Sequence, residues 1–283
     1  MKSTVALASL KIIFQGLAKI RNLILDTLFP INCLSCGKYG VWLCGSCLEK
    51  IPLRTEQVCP VCEKQITPDG RVCFNCHRKS TINGLLSASF YQNKIISSVI
   101  HCFKYQFVKE LANPLGEILT NSLLHSQLPI PEIIIPVPLH KRRLRWRGFN
   151  QAELLANYLS KNLTPGLTIP VINNLLIRSR FTSPQMGIKN HLRRKENIAN
   201  AFSLNNQRLI LNKTKNNKTS YHCDSNDVEF CCAKDVLKNK TILLVDDIAT
   251  TGSTLFESAK VLKQNGAKEI YAIVIARQEY NQK

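Results

Sequence analysis

Two carboxylates side by side, Asp246 and Asp247, end an apolar run that begins at Thr241, and small residues follow: Ala249, Thr250, Thr251, Gly252, Ser253 and Thr254. Backbone N–H groups and hydroxyls gathered at the start of a helix make a ready anion seat. Gly252 lets the backbone approach a phosphate with no side chain in the way. Acidic groups beside such a seat would repel the phosphate itself, so they suit neighbouring hydroxyls on the same ligand, whose protons they can accept. A ribose 5-phosphate moiety has both features. A helix cap alone would need one Asp and one Thr; two Asp and four hydroxyl residues between positions 246 and 254 exceed that need.

A second constellation lies near the other end. Eight of the twelve cysteines form the pairs Cys33/Cys36, Cys44/Cys47, Cys59/Cys62 and Cys73/Cys76. A C-x2-C turn brings two thiolates to one metal radius, and a second turn completes a tetrahedron around Zn²⁺. Sequential assignment gives one site from the first two pairs and another from the last two; a cross-braced arrangement, with the first pair joining the third, satisfies the same spacing. In both, sulfur fills every position, so the zinc is structural. The competing readings are four disulfides or thioredoxin-like redox thiols. Redox motifs come singly beside a strand–helix unit, and disulfide scaffolds are normally short secreted chains, whereas this cysteine-rich segment leads a chain of 283 residues. So small a segment would draw its folding energy from the metal. His77, directly after Cys76, reads as a bystander.

The chain carries 38 Lys+Arg against 19 Asp+Glu, a formal charge of +19. Between His140 and Lys195 twelve basic residues face a single acidic one, Glu153. That asymmetry calls for polyanionic partners, and arginine forks match phosphate oxygens bidentately. Lys141, Arg142, Arg143 and Arg147, with Asn150 and Gln151, follow the apolar run Ile133–Leu139 and line a candidate site. The segment RSRFTSPQ, Arg178–Gln185, holds few helix formers and reads as a loop. Taken singly, each arginine could equally be a solvated surface charge. Trp146, Phe149 and Phe181 stand near enough to these charges to stack nucleic-acid bases.

These groups need a scaffold. Strands are expected at Gly84–Tyr91, Ile133–Leu139, Pro170–Ile177, Thr241–Ile248 and Glu269–Ala276. Helices are expected at Lys94–Tyr105, Val108–Leu124, Gln151–Leu163, Ile188–Ala199 and Thr254–Asn265. Such alternation predicts an α/β fold with a parallel sheet covered on both faces and right-handed crossovers, and an apolar content of 45% with 20% charged residues excludes wholesale disorder. Residues 1–29 read as one amphipathic helix packing on its own protein or a partner, or lying on a membrane surface. Lys11, Lys19 and Arg21 interrupt it, so it is neither a membrane span nor a signal peptide, and the protein is expected in the cytoplasm. A double zinc-binding unit at 30–78 and an α/β domain at 84–283 follow, the latter carrying a low-complexity insertion at 205–239.

The string VDDIATTGST resembles the 5-phosphoribosyl 1-pyrophosphate (PRPP) motif of type I phosphoribosyltransferases. The whole chain is similar to the ComF/GntX family of that fold, also through LFPINCLSCG at Leu28–Gly37, IIPVPLHKRRLRWRGFNQAELLA at Ile134–Ala156, and TSPQ…RRKENIANAF from Thr182 to Phe202. The resemblance implies a zinc-ribbon domain before a phosphoribosyltransferase-like domain that binds PRPP with Mg²⁺. Asp246 and Asp247 would hold the ribose, and 249–254 the 5-phosphate. It places pyrophosphate in the loop after the Ile133–Leu139 strand, near Lys141, Arg142 and Arg143, and a mobile lid at Arg178, Arg180, Thr182 and Gln185. It also implies a transferase that serves DNA uptake or nucleotide-related metabolism, or else a PRPP sensor that binds single-stranded DNA beside DNA-uptake proteins.

Overall fold

Thr241–Ala249 becomes a nine-residue strand at the centre of a parallel sheet in a computed structural model, which describes residues 30–182, 196–205, 209–210, 230–231 and 233–278. The elements run α1 (Gly45–Leu48), β1 (Gly84–Phe90), α2 (Lys94–Tyr105), α3 (Ala112–Leu124), β2 (Ile133–Pro136), α4 (Lys141–Arg147), α5 (Gln151–Asn162), β3 (Leu176–Arg178) and β4 (Phe202–Leu204). Then follow β5 (Leu209–Ile210), β6 (Phe230–Cys231), α6 (Ala233–Leu237), β7 (Thr241–Ala249), α7 (Ser253–Gln264) and β8 (Glu269–Arg277). The chain divides into two compact units, Met1–Lys50 and Ile51–Lys283. That boundary falls inside the segment read as one cysteine-rich unit, so the second cysteine cluster belongs to the same unit as the sheet. The expected amphipathic helix at 1–29 lies outside the described residues, as does most of the insertion. No helix among the described residues is long and apolar enough to cross a membrane.

The main sheet has the strand order β1-β8-β7-β2, all parallel. Its strands read as near-continuous apolar runs because both faces are covered. On one face Ile133, Ile135, Ile242, Leu244 and Ile270 join Leu255, Ala259 and Leu262 of α7 in one core. On the other, Ile134, Leu243, Val245 and Ile273 are equally buried beneath α3 and α5, which pack against each other and on the strands.

Where the expectations and the structure differ, local chemistry explains the difference. The strand expected at Pro170–Ile177 is broken in two: Val171 makes a single parallel bridge to Ile134, the chain turns at Asn173–Asn174, and Leu176–Arg178 leaves the main sheet to pair antiparallel with β4. Asn is at home in such turns. The loop expected after β2 is instead the helix α4, because Lys, Arg and Leu are good helix formers. His140 Nδ1 caps it by accepting from the Arg142 N–H at 3.2 Å, and Gly148 ends it at φ 76°. The helix expected from Val108 starts as a 3-10 turn at Lys109–Leu111, and α3 proper begins at Ala112, with Pro114 in the first turn where a missing N–H costs nothing. Of the helix expected at Ile188–Ala199, residues 196–198 are helical and the part before 196 lies outside the described residues.

Gly116 shows how closely α3 and α5 meet: a Cβ there would lie 2.4 Å from the Tyr158 ring and 2.8 Å from its Cβ. Helix propensity alone favours Gly→Ala by about 1 kcal/mol, while overpacking costs about 1–3 kcal/mol. Contact with the root of Tyr158, which cannot swing away, decides the sign. Gly116→Ala is expected to destabilise the fold by about 1–2 kcal/mol in urea unfolding; a stabilised variant would show that the two helices are not in contact there.

Candidate ligand cleft and metal centres

At the carboxyl ends of β7 and β2, where a parallel sheet presents its ligand sites, a cleft of about 400 Å³ opens. Its walls include Asp246 and Asp247 from β7, Thr250 and Thr254 from the turn into α7, and Lys104 from α2. Arg142, Arg143 and Arg147 of α4 and Arg178 of β3 face them. Groups more than 100 residues apart in the chain thus converge on one volume.

The turn into α7 has the form of an anion seat. Gly252 occupies the N-cap at φ 70° with no side-chain cap bond. Ser253 N donates to Thr251 Oγ1 at 3.4 Å, and Thr251 and Ser253 pair their buried hydroxyls at 2.6 Å. Ala249 packs into the core.

The carboxylates differ. Asp247 is buried, takes the Lys104 ammonium at 2.9 Å on Oδ1, and accepts the Ile248 N–H on the same oxygen at 2.7 Å. Asp246 accepts the Asp247 N–H at 2.8 Å and touches solvent through the cleft, yet protein atoms surround it. Desolvation first, then the charge of Asp247, push its carboxyl up to about 7 against the opposing pull of Lys104 and Arg178.

The basic wall is held rigidly. Gln151, buried, accepts from Arg147 at 2.9 Å and donates to Phe103 O at 3.3 Å. Asn150 caps α5 and ties it to Val137 O at 3.0 Å. Arg143 donates to Thr182 O at 2.7 Å, and Arg178 donates to Thr182 Oγ1. Burial, then Arg143, lower Arg178 to about 10, so it stays cationic at neutral pH. The Nε groups of Arg147 and Arg178 are buried without a partner among the described residues, two donors available to an anion. Arg142 and Arg143 stack on Phe181 at 5.1 and 5.5 Å, and Arg147 lies 6.0 Å from the Trp146 ring.

Not every expected residue enters the cleft. Lys141 sits outside its wall, and Thr182 serves by joining two arginines. Arg180 turns away to donate to the carbonyls of Glu196, Asn197 and Ala199. Gln185 lies outside the described residues. Sequence reading missed Lys104, Tyr91, Tyr105 and Gln278, all of them in the wall. Lys104 belongs to no motif; it is one of two lysines in α2, next to the helix's carboxyl-terminal residue.

The eight cysteines form two sulfur clusters, Cys33/Cys36/Cys44/Cys47 and Cys59/Cys62/Cys73/Cys76, the four sulfurs of each lying within 4.8 Å of one another. The sequential assignment is the one adopted. Sγ separations of 3.8 Å (Cys33–Cys44), 3.6 Å (Cys36–Cys44) and 3.9 Å (Cys62–Cys73) exclude disulfides, whose sulfurs are about 2 Å apart. They match the edge of a tetrahedron with Zn–S bonds of about 2.3 Å, which is roughly 3.8 Å. Backbone N–H groups outweigh burial and draw Cys33 down to about 6, whereas crowding by neighbouring sulfurs outweighs the Lys38 N–H and pushes Cys36 up to about 11. The Lys64 and Gln65 N–H groups lower Cys62 to about 6, and the Cys73 sulfur raises Cys76 to about 12. Four thiolates cannot coexist without a cation, and the donor set fits structural zinc.

The two knuckles share one backbone form. The residue after the second cysteine of the leading pair is left-handed in both, Gly37 at φ 75° and Glu63 at φ 56°. Glu63 bears the strain that glycine avoids, and its carboxylate holds Arg277 at 2.6 Å, with side chains 34% and 5% exposed. Arg277 ends β8 opposite Ala249, and the next residue, Gln278, donates to Ala249 O at 2.9 Å. One ion pair thus fastens the second sulfur cluster to the strand end beside the anion seat.

Elemental analysis of protein purified without chelator is expected to give two zinc per chain and one for Cys62→Ser; less than one in the parent would remove the metal centres. The Asp246 carboxyl is protonated more readily in the fold than in the unfolded chain, so stability falls as pH rises from 3.8 to about 7. Asp246→Asn should therefore raise Tm most at pH 8, less at pH 5, and barely change it below pH 3.8. An equal gain at every pH would show that burial does not penalise the charge.

A double zinc ribbon domain model matches residues 24–77, across the boundary between the two compact units, and a phosphoribosyl transferase domain model matches residues 198–283. Competence protein F of Haemophilus influenzae is 30% identical over 259 residues, covering 88% of this chain and 98% of that protein. DNA utilization protein YhgH of Escherichia coli K12 is 28% identical over 253 residues, with 83% and 96% covered. Competence protein ComFC of Bacillus subtilis is 24% identical, with 79% of each chain covered. With two four-cysteine clusters, a parallel-sheet cleft and similarity to these proteins over most of its length, the chain belongs to the competence protein F (ComF) family.

Proposed function

We propose that the protein binds PRPP and transfers its phosphoribosyl group to a nucleophile, in support of DNA uptake or utilisation. The observation that carries this reading is the convergence in one cleft of a carboxylate pair, an uncapped helix start and four arginines. Each part suits one part of PRPP: the 5-phosphate on the turn at 250–254, the ribose hydroxyls on Asp246 and Asp247, and pyrophosphate on the arginines of α4 and Arg178. When the C1–O bond breaks, the electron pair leaves with pyrophosphate and positive charge grows on the sugar ring, as in glycoside chemistry. The buried carboxylates stabilise that charge, while Arg142, Arg143, Arg147 and Arg178 receive the departing anion. A nucleophile, a base or an amine, then forms the new bond to the anomeric carbon. Mg²⁺, for which the two carboxylates are the hard oxygen donors at hand, would supply neutralisation of pyrophosphate when bound.

A second reading has its own support. Trp146 is 59% and Phe181 45% exposed, at the mouth of a cleft lined with arginine, which suits single-stranded DNA held by stacking and charge. Relatives named for competence and for DNA utilization fit a protein that meets DNA. In that case PRPP is a sensed ligand and no acceptor is turned over.

Calorimetry with Mg²⁺ present should show PRPP binding, and Asp247→Asn should weaken it roughly tenfold or more, the loss of a hydrogen bond to a charged group. Pyrophosphate release in an acceptor screen supports the transferase; binding with no release for any acceptor, and DNA retention that falls steeply with salt and with Trp146→Ala, supports the sensor. Absence of any heat with PRPP or ribose 5-phosphate would overturn both.

A further inference from the structure

Lys104 lies in the last turn of α2, far from every stretch of sequence that suggests chemistry, yet its ammonium stands 2.9 Å from Asp247 Oδ1 with both side chains nearly out of solvent, 12% and 10% exposed. Sinking an ammonium and a carboxylate into a protein wall is costly, and an apolar pair often serves stability as well. A chain that keeps such a pair in a ligand cleft is using the charge for something other than holding the fold together. A carboxylate at a ligand cleft is useful only if it is turned the right way, and here the turn is fixed. The ammonium and the Ile248 N–H both hold Oδ1, which leaves Oδ2 to accept from a ligand.

We propose that Lys104 is a specificity-determining positioning residue, which fixes the orientation of the Asp247 carboxylate so that Oδ2 is presented to ribose hydroxyls and the cleft prefers a sugar phosphate with those hydroxyls to a bare phosphate. The proposal rests on the PRPP reading and deepens it. Lys104 acts through Asp247 and is not a general contact for anions.

The test is calorimetric titration of the full chain with ribose 5-phosphate and, separately, with inorganic phosphate. The parent protein should prefer the sugar phosphate. Lys104→Met should weaken ribose 5-phosphate about tenfold and leave inorganic phosphate within twofold, because only the hydroxyl contacts are lost. Lys104→Arg, which restores the cation, should recover most of the preference. If Lys104→Met fails to fold by circular dichroism, Lys104→Leu serves in its place with the same expected change of ratio. Equal weakening of both ligands would make Lys104 an ordinary anion contact and overturn the proposal, as would an unchanged ratio. A parent protein that binds inorganic phosphate but shows no preference for ribose 5-phosphate would overturn the ribose reading itself, a different result from a parent preference that the substitutions leave intact.

Discussion

Two negative charges at the end of a buried strand are the constraint around which the cleft is built. The apolar run of β7 places Asp246 and Asp247 where little water reaches them, and charge held there must be answered by nearby cations or by a proton. The structure uses both. Lys104 comes up from α2 to Asp247, Arg178 approaches Asp246 from β3, and Asp246 titrates close to neutrality. The arginines of α4 are themselves held by Thr182, Gln151 and Phe181, none of them charged, so their charge is directed into the cleft.

The sheet was legible because its strands are buried on both faces and read as unbroken apolar runs. The order and hand of a parallel sheet then leave few alternatives. Asp246, Asp247 and the turn at 250–254 were legible for a related reason: consecutive residues at a strand end and a helix start are brought together by local geometry. Lys104 and Gln278 were not, since they reach the cleft only through the packing of α2 and the course of the chain after β8. Arg180 misled because charge and proximity in sequence to Arg178 and Thr182 say nothing of direction; one residue of the segment points inward, and two positions later the chain spends its guanidinium on carbonyls. The helix α4 was concealed by its length and by its arginines, which are good helix formers that also suit a phosphate loop.

The cysteine pattern fixed ligand identity and number while leaving the pairing open, and the sulfur separations close that question. Within each cluster one thiol is drawn down to about 6 while another is pushed up, to about 11 in the first and about 12 in the second, because the sulfurs are pressed together. A divalent ion removes the conflict, so metal and fold are two descriptions of one stabilisation.

Glu63 shows that the second knuckle is not an ornament on the larger unit. The backbone at that position favours glycine, and the first knuckle has one; the second accepts a side chain there because its carboxylate answers Arg277. A shortened protein beginning at the first strand, the natural choice for anyone wanting the sheet alone, would lose Glu63 and with it the ion pair that ties the end of β8 to the second knuckle. Trimming the chain to its sheet would therefore loosen the strand end that leads into Gln278 of the cleft wall.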